Sequence, residues 1–232
     1  MTIPSAACDA GLRRKNKGTA FRPRFANAPC AEILLVFLLL VIPPAPAQAD
    51  SDWDARALAR ALSPPLGLPP VTAEEKALLN RDLIQLGRRL FFDPRLSHKG
   101  DMSCATCHQS DQAYTQNALE RSVGANGEQI RRNAPTVINA KYYERLFNDG
   151  RARSLETQFL SPLLAPEEMN NGTAETVVAK LAAIPRYVKA FRKVFGGAPD
   201  MGRLGTALGA FQRTLISGNS RFDRWKFGSD PK

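Results

Sequence analysis

The sequence predicts an all-α protein, on three observations. Leucines recur at helical spacing behind a recognisable helix start, and proline and glycine punctuate the intervals between such stretches. No run alternates β-branched and polar residues as a half-buried strand would, and no internal repeat stands out. The 232 residues are enough for a substantial core in one or two domains.

The first segment reads as an address, not as fold. Arg13, Arg14, Lys15, Lys17, Arg22 and Arg24 precede an apolar run over residues 33–42, followed by Pro43, Pro44 and the small-residue end Ala47-Gln48-Ala49. That order describes a secretory signal peptide over residues 1–49, cleaved before Asp50. The apolar run is too short for a permanent membrane anchor, which needs about 20 residues. Six of the chain's 32 basic residues and two of its 22 acidic ones lie in this segment, so its net charge of +10 falls to +6 on removal. No run of five or six like charges remains, so nucleic acid is not an expected partner. The residual field could help to dock an acidic redox partner, although a solvated surface is the plainer reading.

Residues 50–71 are proline-rich and read as a loosely packed lead, within which residues 53–62 can form a short helix. Thr72 followed by Glu75 is a capping box, and Leu78, Leu79, Leu83, Leu86 and Leu90 then predict one helix running to about Phe91. Phe92-Asp93-Pro94 ends it. Residues 113–136, polar and carrying Gly124 and Gly127, read as a long loop of the kind that often has a function. Residues 155–164, 174–184 and 186–195 have helical periodicity with Gly196-Gly197 as a stop, and 204–216 forms the last clear helix.

Cysteine usage carries the chemistry. Cys8 and Cys30 fall in the removable segment, leaving only Cys104 and Cys107, which an oxidising compartment would pair unless something else occupied them. Residues 104–108 read Cys-Ala-Thr-Cys-His, the attachment pattern of c-type haem. On a helical turn both sulfurs can reach the porphyrin vinyl groups while His108 turns its ring to the iron. A structural zinc site would need four ligands, and only His98 and His108 accompany the two cysteines. A thioredoxin-like pair would need a βαβ setting that the pattern lacks. One covalent haem c is therefore the expected cofactor, with Cys104, Cys107 and His108 binding it and His108 as proximal iron ligand.

The strings "LGRRLFFDPRLS…GDMSCATCH", "RNAPTVINA", "DGRARSLETQ", "PEEM" and "LGAFQRTLISGNSRFDRW" occur in that order. Together they resemble the bacterial di-haem cytochrome c peroxidase family, which includes the MauG-type methylamine-utilisation enzymes. The resemblance implies a periplasmic, all-helical, cytochrome-c-like domain, with residues 72–232 matching the family's N-terminal, peroxide-facing half. A single CxxCH and a stop at Lys232 give the expectation that the second haem domain is absent. The family reduces hydrogen peroxide to water with electrons from a small c-type cytochrome or a copper protein.

The resemblance also implies roles. Gln158 and Glu168 fall where the family faces the peroxide, with Pro162 between them beside the haem. A carboxylate can move a proton from the near peroxide oxygen to the leaving one, and an amide can orient the peroxide. Arg151 is expected to pair either with a haem propionate or in a surface salt bridge. Asn133 matches an asparagine linked to calcium in the family, but calcium needs six to eight oxygens, and a turn-forming side chain is the plainer expectation. Ala125 stands where many members have a histidine that caps the iron, which implies an open sixth position. Asn148 replaces a tryptophan that lies between the two haems. His98 reads as an exposed loop residue. Met102, Met169 and Met201 are candidate thioether ligands if the chain is instead a mono-haem electron carrier without turnover. A truncated product of a di-haem peroxidase gene is a further alternative.

Overall fold

The computed structural model describes residues 46–229. The expected signal peptide lies outside the described residues, except for residues 46–49, which open the first helix. Ten α-helices follow one another: α1 Pro46–Leu62, α2 Ala73–Leu78, α3 Arg81–Phe91, α4 Cys104–Cys107, α5 Leu155–Gln158, α6 Leu160–Leu164, α7 Ala174–Ala182, α8 Pro185–Phe195, α9 Met201–Gln212 and α10 Arg221–Phe227. Among the described residues there is no strand, only three isolated bridges such as Val123 with Gln129. No described helix is long and apolar enough to cross a membrane.

The core is built where α3 crosses α9. Leu83, Ile84, Leu90 and Phe91 of α3 and Leu204, Leu208 and Phe211 of α9 are buried together. Each such side chain contributes about 1.5–3 kcal/mol on burial. The crossing is tight because α3 carries Gly87 at the contact: a Cβ there would lie 1.8 Å from the Ala207 carbonyl oxygen. Helix α5 packs against α9 from another side, and α7 and α8 form an adjoining pair.

Two expectations are corrected. The helix expected from Thr72 to Phe91 is two helices, because Leu79 is extended and Asn80 starts a new one, its Oδ1 accepting from the Leu83 amide at 2.9 Å. The capping box itself is present, with Thr72 and Glu75 bonding reciprocally at 3.2 Å. The 50–71 stretch is not loosely packed over its helical part. Ala57 and Ala61 are buried, the Trp53 ring lies 5.7 Å from Phe211, and Asp54 accepts from Gln85 Nε2 at 3.2 Å.

The stretch expected as one helix over 155–164 is divided into α5 and α6 at Phe159, whose backbone stays in the right-handed helical region; the other elements lie close to expectation. Phe92 caps α3, and Asp93 starts a 3-10 turn over Pro94–Leu96. Pro185 opens α8, and Gly196, at φ 73°, closes it in the left-handed conformation. Helix α9 starts earlier than its apolar pattern because the Asp200 side chain caps it by accepting from Arg203 N at 2.8 Å, and it ends at Gln212, short of Ile216. Helix α10 was not expected; Ser220 and Asp223 form its capping box.

Candidate functional site

Cys104 and Cys107 sit on the single turn of α4, entered through Ser103, whose amide donates to Thr106 Oγ1 at 2.9 Å. The His108 amide continues the turn by donating to the Cys104 carbonyl at 2.9 Å, so both sulfurs and the imidazole come off one short piece of helix. The cysteines are not joined by a disulfide. Burial pushes the Cys104 thiol up to about 12 and raises that of Cys107 as well. Reactive redox cysteines have lowered values, so this pair is not an activated dithiol.

The imidazole is prepared as a ligand. His108 Nδ1 lies 3.1 Å from the Tyr114 carbonyl oxygen, which can only accept, so Nδ1 carries the proton and Nε2 keeps its lone pair. Burial lowers the His108 pKa and keeps the ring neutral. The carbonyl is aimed by an unusual backbone: Ala113 and Tyr114 both have positive φ, at 57° and 55°. The turn is held by Tyr114 N donating to Gln109 O at 2.8 Å and by Thr136 Oγ1 donating to Ala113 O.

A two-part cavity opens in front of this turn. The outer part, about 540 Å³, is lined by Cys107, His108, the Arg131–Val137 stretch and Arg151, among others. The inner part, about 60 Å³, is lined by Cys104, Cys107, His108 and apolar side chains including Phe91, Phe159 and Leu163. Gln158, Pro162, Glu168 and Gln212 line both parts. Apolar walls, two thiols, one neutral imidazole with a free Nε2 and a mouth carrying Arg131, Arg132, Arg145 and Arg151 form a donor set and a shape suited to a covalently held haem with its carboxylates outward.

Glu168 is partly buried at this cavity. Burial first, and then the neighbouring Glu167 carboxylate, raise its pKa, while Arg151 opposes them. Its charge is felt at the Cys107 thiol, which it helps to raise. Its backbone is fixed by the long loop: Ala125 N donates to the Glu168 carbonyl at 2.9 Å, and Lys99 Nζ donates to the Ala125 carbonyl at 3.1 Å. Gly124 permits that approach, since a Cβ there would lie 1.7 Å from the Glu167 carbonyl oxygen.

The other expected residues divide clearly. Arg151 pairs with Asp149 at 2.9 Å, donates to Ser161 Oγ at 3.1 Å and lies 3.5 Å over the Phe147 ring, so it forms a surface salt bridge at the cavity mouth. Asn133 braces the loop. Its Oδ1 accepts from Ala134 N at 2.9 Å and Ser122 Oγ at 3.3 Å, and its Nδ2 donates to Gln116 O at 2.7 Å. Among the described residues no group of three or more His, Cys, Asp or Glu side chains is placed to hold a metal ion. Asn148 is exposed and donates to the Asn133 carbonyl at 3.4 Å. His98 is exposed and borders neither part of the cavity. Met102 and Met169 are buried and line the inner part, whereas Met201 packs against the core. Tyr114 and Gln212 carry no signal in the sequence: a carbonyl has no residue signature, and Gln212 sits within an apolar helix pattern.

Fold and cavity together define a class, that of all-helical proteins holding a c-type haem on a CxxCH turn. Within that class the chain belongs to the di-haem cytochrome c peroxidase family, whose model matches residues 81–231. It is 40% identical to the methylamine utilization protein MauG of Methylorubrum extorquens over 189 residues, which is 80% of this chain and 52% of that protein. It is 40% identical to the cytochrome c551 peroxidase of Nitrosomonas europaea over 150 residues, 64% of this chain and 44% of that one. The crystal structure of the diheme peroxidase BthA of Burkholderia thailandensis superposes with a TM-score of 0.57 at 31% identity, over 63% of this chain and 42% of BthA. The chain thus spans about half the length of the relatives it matches.

Proposed function

We propose that this chain is the peroxide-reducing haem domain of an exported, periplasmic protein that receives electrons from a small redox protein. The observation that carries the reading is that Glu168 and Gln158 share both parts of one cavity with His108, while burial raises the Glu168 pKa. Cys104 and Cys107 would anchor the haem by thioether bonds, and His108 Nε2 would hold its iron from the proximal side. The bound haem supplies the metal that takes up peroxide and the electrons that cleave its O–O bond.

The chain's own residues handle position and protons. Glu168 takes the proton from the near peroxide oxygen and delivers it to the far one, which leaves as water; its raised pKa makes it a stronger base than an ordinary carboxylate. Gln158, with both a donor and an acceptor on its amide, orients the peroxide before cleavage. The apolar inner wall limits access of bulk water, and the arginines at the mouth match the charge of two propionates. Ala125 has no side-chain donor and so would not compete with peroxide for the haem metal.

A second reading, a mono-haem electron carrier, is favoured by Met102 and Met169 lining the inner part of the cavity, where a thioether could occupy the sixth position. Stopped-flow mixing of the ferric holoprotein with hydrogen peroxide separates the two. The enzyme reading expects a fast peroxide-dependent spectral change that Glu168→Gln slows about a hundredfold or more. A change of equal rate in the variant would remove Glu168 from the mechanism, and no change in either protein would favour the carrier.

A further inference from the structure

A second depression, about 440 Å³, lies on the surface where the end of α3 meets the start of α8, and it includes Arg89, Phe92, Arg95 and Arg186. Three guanidiniums face one carboxylate there. Asp93 is buried and matched by Arg95, by Arg186 at 3.2 Å and by the Tyr187 hydroxyl. The basin therefore keeps a net positive charge. The basin also holds an exposed aromatic residue: Phe92 is 40% exposed.

The ring of Phe92 leads inward. It meets Phe91 edge-on with centroids 5.4 Å apart, and Phe91 lies 6.3 Å from the His108 ring. Phe91 is itself a wall of the inner cavity. A single aromatic pair thus separates a basic surface basin from the proposed iron ligand. Positive charge around an exposed aromatic is how a surface steers and seats an acidic partner, and contiguous packed rings give an electron a shorter through-space path than loosely packed backbone does.

We infer that this basin is the docking surface for a small, acidic one-electron carrier whose electron reaches the haem held at His108 through the Phe92 and Phe91 rings. The inference rests on the proposed function and names its donor's chemistry and point of contact. Each encounter would oxidise the carrier's centre by one electron and pass that electron to the haem, with no bond made or broken. Over a turnover two such electrons and two protons convert one hydrogen peroxide into two waters. The basic cavity mouth is the rival docking place, but its arginines surround the proposed propionates.

The test is anaerobic reduction of the ferric holoprotein without peroxide, read by stopped-flow absorbance. The probe is reduced plant-type [2Fe–2S] ferredoxin, an acidic and strongly reducing protein. At low salt, Arg89→Glu combined with Arg186→Gln is expected to lower the bimolecular rate constant at least tenfold, with the gap closing at high salt. Arg221→Glu, on α10, should stay within twofold of the parent. Phe92→Leu should slow reduction at saturating ferredoxin. Photoreduced lumiflavin, small and neutral, should reduce all four proteins alike, which reports that haem and fold are intact. If the double variant does not fold, Arg89→Glu alone serves, since Arg89 is exposed. Equal ferredoxin rates in the parent and basin variants would overturn the inference, as would a larger loss in Arg145→Glu at the cavity mouth or an equal loss in Arg221→Glu. Failure of the peroxidase reading would show separately, as a missing peroxide-induced spectrum with the ferredoxin result unchanged.

Discussion

At His108 a hydrogen bond to the Tyr114 carbonyl, with the Pro135 carbonyl as a second backbone acceptor at the ring, sets the tautomer. The Tyr114 carbonyl that accepts it is delivered by two consecutive left-handed residues, a conformation that costs an alanine and a tyrosine about 1 kcal/mol or more each. His108→Gly should leave haem attached through Cys104 and Cys107 but abolish its normal absorption spectrum, and an unchanged spectrum would refute the ligand assignment. Glu168 makes a prediction in pH. Burial and Glu167 raise its pKa from the ordinary glutamate value, against the opposing Arg151, and its basic form is the one that accepts the peroxide proton. The rate of peroxide reaction should therefore fall as pH drops through that raised value. In Glu168→Gln that fall should vanish from the kcat/KM profile. The same shift contributes stability at low pH that is lost as pH rises through the raised value. The attachment residues were legible in the sequence because thioether chemistry fixes residue type and spacing together. The Tyr114 carbonyl was not legible, since positive φ in an Ala-Tyr pair leaves no mark in composition or periodicity.

Among the helices, the crossing of α3 and α9 is the frame on which the cavity is built: Phe91 and Leu208 belong to the core and also line the inner part of the cavity. Gly87→Ala places a methyl group against the Ala207 backbone. It should cost about 1–3 kcal/mol, by the usual cost of overpacking, and should be seen as a lower denaturant midpoint with an unchanged slope. A variant as stable as the parent would mean that the helices can separate freely. Periodicity revealed most helices, because an amphipathic stripe follows directly from burying one face. It failed where a cap outweighs the stripe. Asn80 divides a continuous leucine pattern into α2 and α3 by competing for the Leu83 amide, and Asp200 starts α9 before its first core leucine. Helix α10 was missed although Ser220 and Asp223 spell a capping box, because Phe222, Trp225 and Phe227 stay exposed and give no buried stripe.

Over the whole molecule, the helical frame, the long loop and the CxxCH turn converge on one cavity. The loop is tied to the frame at several points. Ala125, for example, donates its amide to the Glu168 carbonyl at 2.9 Å and accepts from Lys99 Nζ at 3.1 Å through its own carbonyl. The 113–136 segment is therefore a wall with a fixed course, which length and polarity alone did not reveal. The sequence motifs placed this chain in its family because they are the cavity's own lining: "RNAPTV", "SLETQ" and "PEEM" supply residues 132–137, Gln158 and Glu168. The central claim is that a haem bound to Cys104, Cys107 and His108 meets peroxide in this cavity. Its most direct test is the room-temperature absorption spectrum of the purified ferric protein, matured in a host that assembles c-type cytochromes, before and after one equivalent of hydrogen peroxide. A covalent haem spectrum that peroxide changes at once is the predicted result. A colourless protein with two titratable thiols, or a haem spectrum indifferent to peroxide, would contradict it.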